Sequence, residues 1–161
     1  MRIYLIGMPG AGKSTIGKML ASKLNYEFID LDNYIEHEAM LFVDEIFSLY
    51  GEEYFRALES NCLKELTSDN LVIACGGGIV KDPHNKELMD GICIRLSVPL
   101  DVIEERIAKQ NVIRPLLETK TLKDIYLERK DLYENFTEYY VENVDSNKAL
   151  AEIIKLVGAK L

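Results

Sequence analysis

An octapeptide near the start of the chain, Gly7-Met8-Pro9-Gly10-Ala11-Gly12-Lys13-Ser14, constrains the fold more than any other feature. It fills every fixed position of the spacing G-x-x-x-x-G-K-[ST]. Its context matches as well. The run RIYLI at residues 2–6 is short and apolar, stops at Gly7 and reads as a buried strand. Over residues 13–24, Ile16, Met19, Leu20 and Leu24 recur at helical spacing and form one apolar face. A strand, a glycine-rich turn and a helix in this order make an anion cradle. The glycines let backbone N–H groups turn toward phosphate oxygens with no Cβ in the way. The helix directs its unpaired N–H groups and its dipole at the same point. Lys13 offers a mobile positive charge to β- and γ-phosphates, and the Ser14 hydroxyl offers a ligand to Mg²⁺. The competing explanation is a glycine-rich hairpin with a chance Lys-Ser, and the flanking strand and helix argue against it.

The rest of the chain alternates. FIDL at residues 28–31 predicts a second strand, and residues 33–40 a short helix. Residues 43–50 predict a helix stopped by Gly51. Residues 52–66 predict a longer one with Phe55, Leu58, Cys62, Leu63 and Leu66 inward. LVIAC at 71–75 reads as the most central strand and runs into Gly76-Gly77-Gly78. Residues 92–96 predict another strand, and Pro99 opens a helix that continues to Ala108. Residues 109–120 show no clear periodicity. A helix over 121–133, a short strand at 139–141 and a C-terminal helix marked by Leu150, Ile153, Ile154 and Val157 complete the pattern. Strands alternating with helices predict a parallel sheet covered on both faces. An aperiodic piece such as 109–120, set between helices, reads as a lid or binding loop.

Composition narrows the function classes. A length of 161 residues suits one compact domain. The formal net charge of −8 has the wrong sign for nonspecific nucleic-acid binding. It also repels a nucleotide at long range, so a phosphate site must be built locally from N–H groups, a few Lys or Arg and a metal ion. No run approaches the roughly eighteen apolar residues of a membrane span. The first residues lead straight into a strand pattern with no basic leader or cleavage site, so the expectation is a cytoplasmic protein. Cys62, Cys75 and Cys93 are odd in number and form no CxxC pair, so they read as small buried apolar side chains. His37 and His84 have no metal-ligand spacing.

A phosphate loop does not identify the acceptor, because GTPases, ATPases, nucleotide kinases and sugar kinases share it. Other residues must. Asp30 and Asp32 stand at the end of the second strand, the side on which open parallel sheets bind ligands. Strand alternation puts both on one side. One carboxylate can hold the metal shell while the other orients, or takes the proton from, an attacking hydroxyl. The alternative is that Asp32 only caps the next helix. Arg56, Arg114 and Arg129 carry planar forks suited to carboxylate or phosphate, although each alone also reads as a solvated charge.

Taken together, these residues resemble the shikimate kinase family over nearly the whole chain. The matching pieces are GMPGAGKST, FIDLD, EIFSLYGEEYFRALE, ACGGG, RPLL and RKDLY, in the family's order and at similar spacing. The resemblance implies a three-layer α/β P-loop kinase fold: a central parallel five-stranded sheet flanked by helices, substrate-binding helices over about 33–62, and a mobile lid over about 109–120. It implies transfer of the γ-phosphoryl of ATP to the 3-hydroxyl of shikimate, with Mg²⁺. Gly10, Ala11, Gly12, Lys13, Ser14 and Thr15 would hold the nucleotide. Lys109 lies near the position of an adenine-stacking arginine, and residues 142–147 near the adenine. Ser14 and Asp30 would serve the metal, Asp30 through water. Asp32 would bind the shikimate hydroxyls closest to the acceptor oxygen. Arg56 and Arg129 would clamp the carboxylate, with Glu59 fixing Arg56, and Gly77 and Gly78 would approach the ring. Lys13, Asp32 and Arg114, the lid arginine, would carry catalysis. The expected partners are shikimate and ATP, with no nucleic acid and no membrane, in a monomer. Two alternatives stay open. One is a kinase for another small acceptor, such as gluconate or a nucleoside monophosphate; the latter usually needs a longer lid. The other is a nucleotide-binding module without turnover, in which Asp32 and Arg114 would be superfluous.

Overall fold

The computed structural model describes residues 1–110, 117 and 120–160. Five strands, β1 (Arg2–Ile6), β2 (Glu27–Asp30), β3 (Leu71–Ala74), β4 (Ile92–Ser97) and β5 (Tyr139–Glu142), form one sheet in the order β2-β3-β1-β4-β5. Every neighbouring pair is parallel. β1 occupies the centre, rather than β3 as the run LVIAC suggests, so the phosphate loop that follows β1 emerges from the middle of the carboxyl edge. The expected five-stranded parallel sheet with helices on both faces is what forms.

Alternation along each strand divides the core. Ile3, Leu5, Val72, Ile94 and Val141 face α1 (Lys13–Leu24) and α7 (Ser146–Gly158). Tyr4, Ile6, Ile73, Cys75 and Cys93 face α2 (Leu31–Ala39), α3 (Val43–Glu65) and α6 (Leu122–Phe136). Each large apolar side chain buried this way stabilises by about 1.5–3 kcal/mol before ordering costs. A short α4 (Asn85–Leu88) and α5 (Leu100–Ala108) complete the layers. All three cysteines are free and buried, as expected.

Two local readings need correction. Leu31 is not the end of β2 but the buried first residue of α2. Asp30 is the N-cap: its Oδ1 accepts from the Asn33 N–H at 3.2 Å. The cap wins because it satisfies one of the orphan N–H groups of the new helix. Asp32 therefore lies in the first turn of α2, and it reaches the neighbourhood of Asp30 through the helix rather than by strand alternation. The expected break at Gly51 is present as a non-helical residue inside α3 (φ 87°, ψ 172°). Among the described residues, no helix is long and apolar enough to cross a membrane.

Candidate active site

The carboxyl ends of β1, β2 and β3 open into a cleft of about 650 Å³. Its walls bring together Gly10, Gly12, Lys13, Ser14, Thr15, Asp30, Asp32, Arg56, Gly77, Gly78 and Arg129. These residues come from five separate stretches of the chain, and the fold supplies their proximity.

The phosphate loop is held open by its own backbone. Gly12 adopts φ 87°, and a Cβ there would run into the Asn143 side-chain amide. That amide donates to the Ala11 carbonyl at 2.8 Å, so β5 braces the loop from behind. Arg106 of α5 adds a second brace, donating to the carbonyls of Gly10 (3.4 Å) and Asn143 (2.7 Å). Lys13 Nζ donates to the Gly7 and Met8 carbonyls at 2.6 and 3.1 Å, folded back over the nest. Ala11, by contrast, is buried away from the cleft.

Ser14 Oγ donates to Asp30 Oδ2 at 2.5 Å. A hydroxyl and a carboxylate in contact beside a phosphate nest fit Mg²⁺, which takes one or two protein oxygens and fills its octahedron with water and phosphate oxygens. Among the described residues no group of three or more His, Cys, Asp or Glu is placed to hold a metal. A protein cage is thus not what this pair resembles.

Across the cleft, α3 presents Arg56. Its Nη1 donates to Glu59 Oε1 at 3.0 Å, while Nε and Nη2 reach Glu52 Oε2 at 3.3 and 3.2 Å. Lys81 donates to the same Glu52 oxygen at 2.7 Å. Arg129 of α6 is 2% exposed, and its Nε finds no acceptor among the described residues. A buried guanidinium with an idle donor at a cleft wall suits an anionic occupant.

The glycine triplet after β3 separates these groups at contact distance. A Cβ at Gly76 would lie 3.0 Å from Asp32 Oδ1 and 3.1 Å from Glu59 Oε2. One at Gly77 would lie 3.2 Å from Arg129 Nη1, and one at Gly78 would fall on the Arg56 guanidinium. The Tyr133 hydroxyl pins the loop, donating to the Gly77 carbonyl at 2.5 Å. Burial raises the Asp32 carboxyl to about 6, and the Asp30 charge adds to the rise against Lys13 and Arg56. Burial likewise raises Glu59 to about 7, against the pull of Arg56.

Not every expected residue joins the cleft. Lys109 lies outside its walls and pairs with Glu105 at 3.1 Å on the exposed face of α5. Arg114 and most of the expected lid lie outside the described residues, although Gln110 and Leu117 on either side line the cleft. Sequence reasoning missed Gly76, Glu52, Lys81, Tyr133, Arg106 and Asn143. The motifs GEEYFR, GGG and RKDLY contained three of these without marking them. Nothing in periodicity marked Arg106.

A sequence model described as "Shikimate kinase" matches residues 9–157. A shikimate kinase of Clostridium botulinum is 38% identical over 161 residues, covering 97% of this chain and 96% of that one. A "bifunctional shikimate kinase/3-dehydroquinate synthase" of Thermotoga maritima is 45% identical over 140 residues, 84% of this chain. The match spans only 28% of that longer protein. A solved structure of the Acinetobacter baumannii shikimate kinase "in complex with shikimate" superposes with a TM-score of 0.91 at 33% identity, covering 99% of this chain and 93% of that one.

Proposed function

This chain belongs to the shikimate kinase family, and we infer that it transfers the γ-phosphoryl group of ATP to the 3-hydroxyl of shikimate. The observation that carries this is one cleft whose walls hold an anion nest, two arginines and a half-buried aspartate. Shikimate carries a carboxylate and three hydroxyls. Two guanidinium forks, an aspartate and a stretch of backbone without side chains are complementary to it in charge and shape.

The roles follow from position. The nest over Gly10–Gly12 and the Lys13 ammonium bind the nucleotide phosphates and take up charge on the transferring group. Ser14 and Asp30 hold Mg²⁺, which when bound neutralises phosphate charge. Arg56 and Arg129 grip the acceptor carboxylate, and Glu52 and Glu59 keep Arg56 in place. Asp32 accepts the hydroxyl proton as the oxygen attacks phosphorus. Its raised pKa brings it nearer to a base poised for neutral pH. Arg114 is assigned to the transferring phosphate by its place in RPLL. Protein, ATP and shikimate make up a working unit without nucleic acid or membrane, as a cytoplasmic monomer.

A coupled assay of ADP release with shikimate, gluconate and nucleoside monophosphates tests the assignment. Turnover is expected with shikimate alone. Shikimate turnover no faster than the ATP-only blank would reject it.

A second test concerns the glycine loop. Gly78→Ala places a methyl group where the Arg56 guanidinium stands. The obstructing atoms are the end of a flexible side chain, so the fold survives while Arg56 is displaced. A charged hydrogen bond contributes about 1.5–3 kcal/mol, so the Michaelis constant for shikimate rises roughly tenfold or more. That for ATP stays close to wild type. Equal rises in both constants would show that the loop does not serve the acceptor.

A further inference from the structure

β4 buries a cation that the active cleft does not use. Arg95 is 6% exposed. It follows Cys93 on the face turned to α6, and its register partner on β5 is Tyr140. Its guanidinium lies between two rings, 5.0 Å from the centroid of Tyr133 and 5.1 Å from that of Tyr140. Among the described residues it makes no hydrogen bond and no ion pair. No acceptor among the described residues uses its five N–H donors, which have only ring faces as neighbours within the protein. Cation–π contacts contribute about 0.5–2 kcal/mol and hold the guanidinium in place without using its hydrogen-bonding capacity.

The guanidinium borders a cavity of about 470 Å³ at the carboxyl ends of β4 and β5. That edge is where open parallel sheets take ligands, and the volume lies within the range of small-molecule sites. Among the described residues, none of those lining it is shared with the active cleft. Besides Arg95, the walls carry Leu100 and Tyr126 as apolar surface, the Ser97 and Tyr140 hydroxyls, and the carboxylates of Asp101 and Glu142. Both acids are exposed, and neither pairs with Arg95. The Ser97 and Tyr140 hydroxyls are joined to each other at 2.9 Å.

We propose that this second pocket binds a free α-amino acid with an apolar side chain. Its carboxylate meets the Arg95 fork, its ammonium group faces Asp101 and Glu142, and its side chain lies along Leu100 and Tyr126. The arginine alone would accept any small carboxylate or phosphate. The two acids select among them, because they oppose a plain anion and attract one that carries its own cation. Arg95 also links the pocket to the acceptor loop through one intervening side chain. Tyr133, whose ring faces Arg95, holds the Gly77 carbonyl through its hydroxyl.

Calorimetric titration of the whole protein with L-phenylalanine, L-leucine and L-methionine tests the proposal, with an ATP analogue and shikimate present to fill the cleft. At least one of the three binds saturably. N-acetyl-L-phenylalanine, L-phenylalaninamide and inorganic phosphate, which lack one charge or the other or carry only negative charge, bind at least tenfold more weakly. Arg95→Met weakens binding at least tenfold. Should that variant fail to fold, Asp101→Asn combined with Glu142→Gln, both on exposed side chains, weakens it by a similar factor. No saturable binding by any of the three overturns the proposal. So does acetylated or inorganic anion binding as tight as the amino acid, or full affinity in the folded variants.

Discussion

Asp32→Asn is expected to lower kcat by about 10² to 10⁴, the range over which a positioned general base acts, while ATP binding is nearly unchanged and the folded protein gains stability at neutral pH. The two effects share one cause. Burial, then the Asp30 carboxylate, raises Asp32 from 3.8 to about 6, and burial raises Glu59 from 4.5 to about 7 with Asp32 adding to it. Between the ordinary and raised values, the folded chain holds more protons than the unfolded chain. Stability therefore falls as pH rises, from about pH 4 to about pH 7, and the penalty is complete above that window. The neutral amide removes one of the two charges and relieves the other. The gain is on the order of 1–3 kcal/mol at about pH 7.5 and is absent near pH 4, where the wild-type acid is itself neutral. Thermal melts of both proteins at the two pH values measure it, and steady-state kinetics measures the loss of turnover. The wild-type rate should also decline below about pH 6, as Asp32 takes up the proton that disables it as a base. Near-normal kcat in the variant would reduce Asp32 to a structural residue. A lower melting temperature at neutral pH would refute the account of its charge.

How far this site could be read from sequence depended on which physical signal each residue left. The phosphate loop was legible because its spacing, the strand before it and the helix after it all express one requirement, a backbone nest at a helix N-terminus. β1 and β3 were legible because continuous apolar runs such as RIYLI and LVIA mark strands buried on both faces. Gly51 announced the break in α3 for the same kind of reason, a residue type matched to a backbone need. Asp30 and Asp32 were found, but by an argument that placed them wrongly. Strand alternation and helix capping both fit FIDLD, and only the three-dimensional turn shows that capping prevails. Glu52 and Lys81 escaped because a charged residue looks solvated until its partner is known, here Arg56 and Lys81 for Glu52 and Glu52 for Lys81. Arg95 escaped differently. It sits within ICIRLS, a run whose apolar character predicts burial and says nothing of a cavity beside it. The contacts that matter most for the site, Tyr133 to Gly77 and Asn143 to Ala11, span 56 and 132 residues of chain. No local pattern carries information over such separations.

The arginine pair gives the second large effect. Arg56→Ala and Arg129→Leu each remove charged hydrogen bonds contributing about 1.5–3 kcal/mol, so each should lower kcat/KM for shikimate by roughly 10- to 100-fold. The double variant should lose more than either single but less than the product of the two, because both forks hold one carboxylate and the second has less to grip once the first is gone. The Michaelis constant for ATP should barely move. Stability should separate the two residues. Arg56 neutralises Glu59, which is fully buried and whose Oε2 already lacks a donor among the described residues. Its removal leaves an unpaired buried acid, a destabilising change that worsens as pH rises and Glu59 must ionise. Arg129 is itself a buried cation with an idle Nε, so leucine at that position should leave the folded state as stable or more so. The methyl ester of shikimate supplies the control. Wild type should lose on the ester about what the double variant loses on the acid, and the double variant should treat acid and ester nearly alike. If the double variant still prefers the acid by as much as wild type does, the carboxylate is held elsewhere, and these two arginines serve the protein rather than the substrate.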